Sequence, residues 1–131
     1  MTASNNYTIV VVDDSPTVKT LFERGMKDLG IVLHIFNSAE DGWQYLESNK
    51  PDLVFLNIKM SGKDGLTLLK EMREIPLHKD TAVVIISSKD YAQDRSVAKD
   101  LGALDFLTKP MPIQTIRDIV IEHLQIGSTN Q

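Results

Sequence analysis

The sequence predicts an α/β fold, a doubly wound sheet of five parallel strands with helices on both faces. Three observations predict it. Short apolar runs alternate five times with longer amphipathic stretches, and the runs are rich in Val and Ile. Capping residues, prolines and glycines punctuate the stretches between them. Continuous apolar runs mark strands covered on both faces, and βα units in series with right-handed crossovers build a parallel sheet. The 131 residues suit one domain with a core of its own.

Each element has its own justification. The first strand runs Thr8–Asp13. Ser15 and Pro16 then form a cap and first-turn pair, and Val18, Leu21, Phe22 and Leu29 recur at helical spacing until Gly30 ends the first helix. The second strand, Val32–Phe36, is the least uniform because His34 interrupts it, which places it at an edge. Ser38 with Asp41 three residues later resembles a capping box ahead of Ala39, Trp43 and Leu46. Leu53–Asn57 is the third strand. Asp64–Gly65 precedes a helix carrying Leu66, Leu69 and Met72, which Pro76 cannot continue. Ala82–Ser87 is the fourth strand, and Val97, Ala98 and Leu101 mark a helix closed by Gly102. Leu104–Leu107 is the fifth strand. Pro112 opens the last helix, with Ile113, Ile116, Val120 and Leu124 on one face. Residues 1–6 and 127–131 read as polar tails around a domain at 7–126.

Composition excludes several classes of function. Hydrophobic residues make up 42% and charged residues 24%, ordinary values for a globular chain. Cysteine is absent, which removes disulfide scaffolds, thiol catalysis and Cys-ligated metals. The net charge of −4 argues against a nucleic-acid binder that works by neutralising phosphates. The longest apolar runs, Ile9–Val12, Leu53–Leu56 and Ala82–Ile86, fall far short of the roughly 18–20 residues that span a bilayer. The opening MTASNNYT has no basic residue ahead of its apolar run, unlike a secretory signal, so a cytoplasmic location is expected.

Ligands of open α/β sheets gather outside the carboxyl ends of the strands. The predicted ends carry Asp13 and Asp14, then Asn57, Ser87 and Lys109. Helix capping is one use for an acidic residue after the first strand, but Ser15 already serves there. Adjacent carboxylates repel, and a hard divalent cation such as Mg²⁺ offsets that repulsion. A lysine and a hydroxyl on the same edge complete a site for a phosphoryl group.

With these residues in register, the chain resembles the receiver domain of two-component response regulators, the CheY-like variant of the flavodoxin-like fold. The stretches that carry the resemblance are Val11-Val12-Asp13-Asp14-Ser15, Asp52 through Met60, Gly62-Lys63-Asp64-Gly65, Val84-Ile85-Ile86-Ser87-Ser88 and Lys109-Pro110. They span the chain from about Tyr7 to Leu124. The resemblance implies strand order 2-1-3-4-5. It implies Mg²⁺ held directly by Asp14, through water by Asp13, and by residue 57 and the backbone carbonyl of Lys59. Ser87, Ser88 and Lys109 would meet phosphoryl oxygens, with Phe106 as an aromatic switch that moves as Ser87 engages. The Lys109–Pro110 bond would be cis.

One position departs from the family. The phosphoacceptor aspartate is replaced by Asn57. A carboxylate oxygen can attack phosphorus and form an acyl phosphate, whereas a neutral amide is a poor nucleophile. Losing that charge should also weaken Mg²⁺ binding. Two accounts compete: Asn57 is a deliberate replacement that gives an unphosphorylatable form of a working receiver, or the chain is a natural pseudo-receiver acting as a phosphorylation-independent adaptor. Retention of Asp13, Asp14, Ser87 and Lys109 favours the first.

The implied partners are a sensor histidine kinase or a histidine phosphotransfer protein, and a downstream protein target. A second copy could also dock through the fourth helix, fifth strand and fifth helix. The residues assigned to that partner surface are Val97, Leu101, Phe106, Ile113, Arg117 and Ile121. The apolar residues of the last helix cover more of its circumference than one core stripe of about 100° needs. His34, His78 and His123 lack the spacing of metal ligands, and Trp43 reads as packing. Lys59 and Lys89 flank the site as loop cations. No residues suggest an enzyme acting on a separate small substrate. A flavodoxin-like cofactor binder is disfavoured because Asp13 and Asp14 would repel a phosphate there.

Overall fold

The computed structural model describes residues 6–126. Five strands form one parallel sheet in the order β2-β1-β3-β4-β5. They are β1 (Tyr7–Val12), β2 (Ile31–Phe36), β3 (Leu53–Asn57), β4 (Val83–Ser87) and β5 (Asp105–Thr108). Between and after them come α1 (Pro16–Gly25), α2 (Ala39–Leu46), α3 (Gly65–Arg73), α4 (Ala92–Asp100) and α5 (Ile113–Leu124). This is the doubly wound parallel sheet that the alternation of runs and stretches predicts, in the strand order that the resemblance implies.

Side chains alternate across each strand, and that alternation builds two cores. Ile9, Val11, Leu53, Phe55, Val84 and Ile86 face one layer, where α1 and α5 contribute Val18, Phe22, Ile116 and Val120. Phe22 meets Phe55 edge-on at 4.8 Å. Val10, Val12, Val54, Leu56, Val83 and Ile85 face the other layer, filled by Leu46 of α2, Leu68, Leu69 and Met72 of α3, and Ala98 of α4. β1, β3 and β4 are the interior strands of the sheet, and their sequences are the nearly uninterrupted apolar runs. β2 lies at an edge, and none of its six residues is fully buried.

Local sequence sets the helix starts. Ser15, Ser38 and Asp64 each accept a backbone N–H of the first helical turn, from Val18, Asp41 and Thr67 respectively. The first helix ends earlier than its apolar spacing predicts. It stops at Gly25, and Met26 caps it through a bond to the Phe22 carbonyl. The remaining residues to Gly30 form a turn, where Gly30 at φ +69° supplies the left-handed conformation and its carbonyl accepts from Tyr7. Leu29 packs on the core from that turn, which explains why it kept the helical spacing.

β1 and β2 begin one residue before the predicted starts, and β4 and β5 one residue after. Leu104 therefore precedes its strand and is 49% exposed. Pro76 does not merely end α3; it opens a short 3₁₀ turn, Pro76–His78. Apart from Asn6, the predicted tails lie outside the described residues. Among the described residues no helix is long and apolar enough to cross a membrane.

Candidate functional site

Strand register gathers the site. Val12 pairs with Phe36 and Leu56, Asn57 with Ile86, and Ser87 with Thr108. Asp13, Asn57, Ser87 and Lys109 thus come to the same carboxyl edge of the sheet, each at or one residue beyond a strand end. Asp13 is buried, and its Oδ1 accepts the backbone N–H of Ser15 at 2.9 Å. Its Oδ2 lies 3.0 Å from Lys109 Nζ, with side-chain exposures of 1% for Asp13 and 21% for Lys109. Among the described residues that ion pair is the only charge compensation for Oδ2, which accepts no well-aligned hydrogen bond. Removing either partner of such a pair leaves an uncompensated charge, so the two side chains are held together by mutual need. Asp14 is exposed, and its carboxylate has no protein partner among the described residues.

Asn57 is buried, and its Nδ2 donates to the Lys59 carbonyl at 2.8 Å. A carbonyl only accepts, so the amide nitrogen must face it. That carbonyl is the one the family resemblance assigns to the metal. An aspartate at position 57 has no proton to offer it and would set two acceptors against each other unless a cation lay between them. Ser87 is buried, and its Oγ accepts the backbone N–H of Lys89 at 3.0 Å, so the hydroxyl is turned onto its own loop. Ser88, Lys59 and Lys89 are exposed. A cavity of about 420 Å³ beside these loops is lined by residues that include Lys59, Met60, Asp64, Ser87, Ser88 and Lys89. The Lys109–Pro110 peptide bond is cis, and the Lys109 N–H donates to the Ser87 carbonyl at 2.7 Å.

The donor set at this edge is all oxygen, which suits a hard divalent cation. The unpartnered Asp14 carboxylate and the buried Asp13 Oδ2 fit one. The Asn57 Nδ2 proton already points at the Lys59 carbonyl and competes with a cation for it, while the amide oxygen is left to face the site. No cluster of three or more acidic or His side chains converges among the described residues.

Sequence reasoning missed the role of Gly65. A Cβ there would stand 2.2 Å from the Asn57 carbonyl oxygen, so only glycine lets α3 start against the end of β3. His78 is fully buried, with Nδ1 against the Thr81 hydroxyl and Nε2 against the Leu46 carbonyl at the end of α2. The carbonyl can only accept, so Nε2 carries the proton. Arg73 donates to the carbonyls of Leu101, His78 and Gly102, tying α3 to the end of α4, and burial lowers its pKa.

Two residues of the expected partner surface also meet α1. Arg117 Nη1 donates to the Gly25 carbonyl at 2.7 Å and to Asp28 at 2.8 Å. Ile113 Cγ1 lies 3.1 Å from where a Cβ on Gly25 would stand. Both touch α1 because α1 and α5 pack together on one side of the sheet, while Ile113 stays 37% exposed. Val97 is 37% exposed, while Leu101 and Phe106 are half-buried against the other core. Ile121 is half-buried on α5.

A five-stranded parallel sheet of this order, with an acid–lysine pair, a hydroxyl and the end of β3 at one edge, defines a receiver module. Residues 9–121 match the family model of the response regulator receiver domain, and the chain belongs to that family. It is 29% identical over 125 residues, 94% of its length, to the cyclic di-GMP phosphodiesterase response regulator RpfG of Xanthomonas campestris. It is 30% identical over 102 residues, 78% of its length, to the transcriptional regulatory protein DltR of Streptococcus agalactiae. The chain spans only 33% of the first relative and 45% of the second. Among solved structures, a putative response regulator from Chloroflexus aurantiacus superposes with a TM-score of 0.83 at 27% identity, covering 92% of this chain and 99% of that one.

Proposed function

We propose that the chain is a receiver whose parent form takes a phosphoryl group at position 57 from a histidine kinase or phosphotransfer protein and signals through protein contacts. The buried Asp13–Lys109 pair at 3.0 Å beside residue 57 carries this reading. A buried ion pair is weak as a stabilising device, and its place at a strand end gives it another use: a cation and an acid preset around a charged ligand. With aspartate at 57, a carboxylate oxygen would attack phosphorus as the nitrogen–phosphorus bond of the donor phosphohistidine breaks, and the departing imidazole keeps that electron pair. Lys109 would offset charge on the phosphoryl oxygens, and the Ser87 hydroxyl would leave its own loop to donate to one of them. Asp13 and Asp14 would hold Mg²⁺, which supplies positive charge to bring the anions together.

Asn57 stops this chemistry twice. It lacks a nucleophilic oxygen, and its amide proton occupies the Lys59 carbonyl. We read it as a substitution for aspartate in a working receiver. The same amide–carbonyl bond favours a second reading, a natural adaptor whose site is complete without a cation. The two readings part on Asn57→Asp. With Mg²⁺ and beryllofluoride, a phosphoryl mimic, the working receiver predicts a bound fluorine resonance for Asn57→Asp and none for Asn57. No bound signal from a folded Asn57→Asp would favour the adaptor.

A further inference from the structure

Phe106 pairs with Ile85 across the sheet, so its ring shares a face with Ile85 and with Ser87, two residues on. The ring is half-buried, with its inner side against the core that includes Ala98 of α4. Over the ring stands Arg95 of α4, its guanidinium carbon 4.6 Å from the centroid. Arg95 Nε donates to the Asp90 carboxylate at the start of the same segment. The Asp90 hydrogen bond, with the charges of Asp90 and Asp105, raises the Arg95 pKa further. The guanidinium is thus tethered at one end and laid across an aromatic face at the other, an arrangement that a flexible exposed arginine does not hold without partners.

We propose that Arg95 is a positioning residue that fixes the Phe106 ring in its resting place, so that occupancy of position 57 must break the Arg95–Phe106 contact before Ser87 and Phe106 rearrange. The proposal rests on the reading of position 57 as the phosphoryl site and on the switch role that the receiver resemblance implies for Ser87 and Phe106. The resting assignment follows from Ser87, whose Oγ accepts from Lys89 in its own loop while Arg95 covers the ring. A contact made only in the resting state opposes the ligand that favours the other state, and linkage makes the effect reciprocal. Removing the contact should tighten binding of a phosphoryl mimic about two- to fivefold, the factor expected for an exposed cation–π contact.

Two measurements test it. In the chain with Asn57, side-chain couplings in the nuclear magnetic resonance spectrum should report one χ1 rotamer for Phe106, and averaged rotamers in Arg95→Ala. An unchanged single rotamer in Arg95→Ala overturns the proposal. In an Asn57→Asp background with Mg²⁺, Arg95→Ala should lower the half-saturating beryllofluoride concentration about two- to fivefold. Arg95→Lys keeps a cation within reach of Asp90 and the ring, and should fall between the parent chain and Arg95→Ala. An unchanged affinity in Arg95→Ala contradicts the proposal. If Asn57→Asp takes up no beryllofluoride, the position-57 reading fails, and the rotamer measurement still decides whether Arg95 holds the ring.

Discussion

Asp13 and Lys109 are the residues on which the site stands. Each arrives at the edge because an apolar strand ends there, and that much is legible in the order of residue types. Their pairing at 3.0 Å is not, since they follow different strands far apart in sequence. Lys109→Ala should destabilise the fold by about 2–3 kcal/mol in denaturant unfolding, at or just below the range for a broken buried pair because Lys109 keeps some solvent contact. Asn57→Asp should lower stability without divalent cation by about 1–3 kcal/mol, since a buried hydrogen bond becomes an acceptor facing an acceptor. Adding Mg²⁺ should raise the Tm of Asn57→Asp and leave that of the Asn57 chain nearly unchanged. Equal Mg²⁺ responses from the two chains would contradict the role given to the amide.

Among the elements, strands were the most legible and helix rotation the least. The Val- and Ile-rich runs could only be buried strands, and they fell within a residue of their predicted bounds. α5 was different, because Ile113, Ile116, Ile119, Val120, Ile121 and Leu124 leave no unique apolar face. Its rotation is set from outside, by Gly25 admitting Ile113 and by the Gly25 carbonyl accepting from Arg117. Those contacts join residues about ninety positions apart, so no local pattern announces them. Gly65 was visible as a motif residue, but its reason is a close approach that only the folded chain shows. Gly65→Ala should cost about 3 kcal/mol in chemical denaturation, because α3 or the end of β3 must shift to admit the methyl group. A near-neutral Gly65→Ala would contradict the tight junction between α3 and β3.

Across the whole molecule, different contacts hold the two layers. One layer ties α1 to α5 through Arg117 and Asp28; the other carries Phe106, Arg95 and α4 beside the carboxyl edge. Hydrogen bonding to Arg117 holds the Asp28 carboxyl below its ordinary range. A carboxylate with a lowered pKa in the folded state contributes stability above its unfolded value, and that contribution is lost as pH falls through the folded one. Asp28→Asn should therefore lower stability slightly at neutral pH, with the difference from the parent chain vanishing in acid below the carboxylate range. High salt should shrink the same difference, since Asp28 is exposed. A difference independent of pH would contradict the ion pair as its source. The fold and the residues at its edge were readable as one pattern of residue types along the chain; what those residues do to one another was not.

The central claim is that position 57 is where a phosphoryl group attaches and that Asn57 alone prevents it. The most direct measurement is intact mass after incubation with acetyl phosphate and Mg²⁺, for the chain with Asn57 and for Asn57→Asp. The account predicts that Asn57→Asp gains the mass of one phosphoryl group, mapped to residue 57 and released by hydroxylamine as an acyl phosphate, while the Asn57 chain gains none. A folded Asn57→Asp that gains no mass, or an Asn57 chain phosphorylated to the same extent, would contradict it.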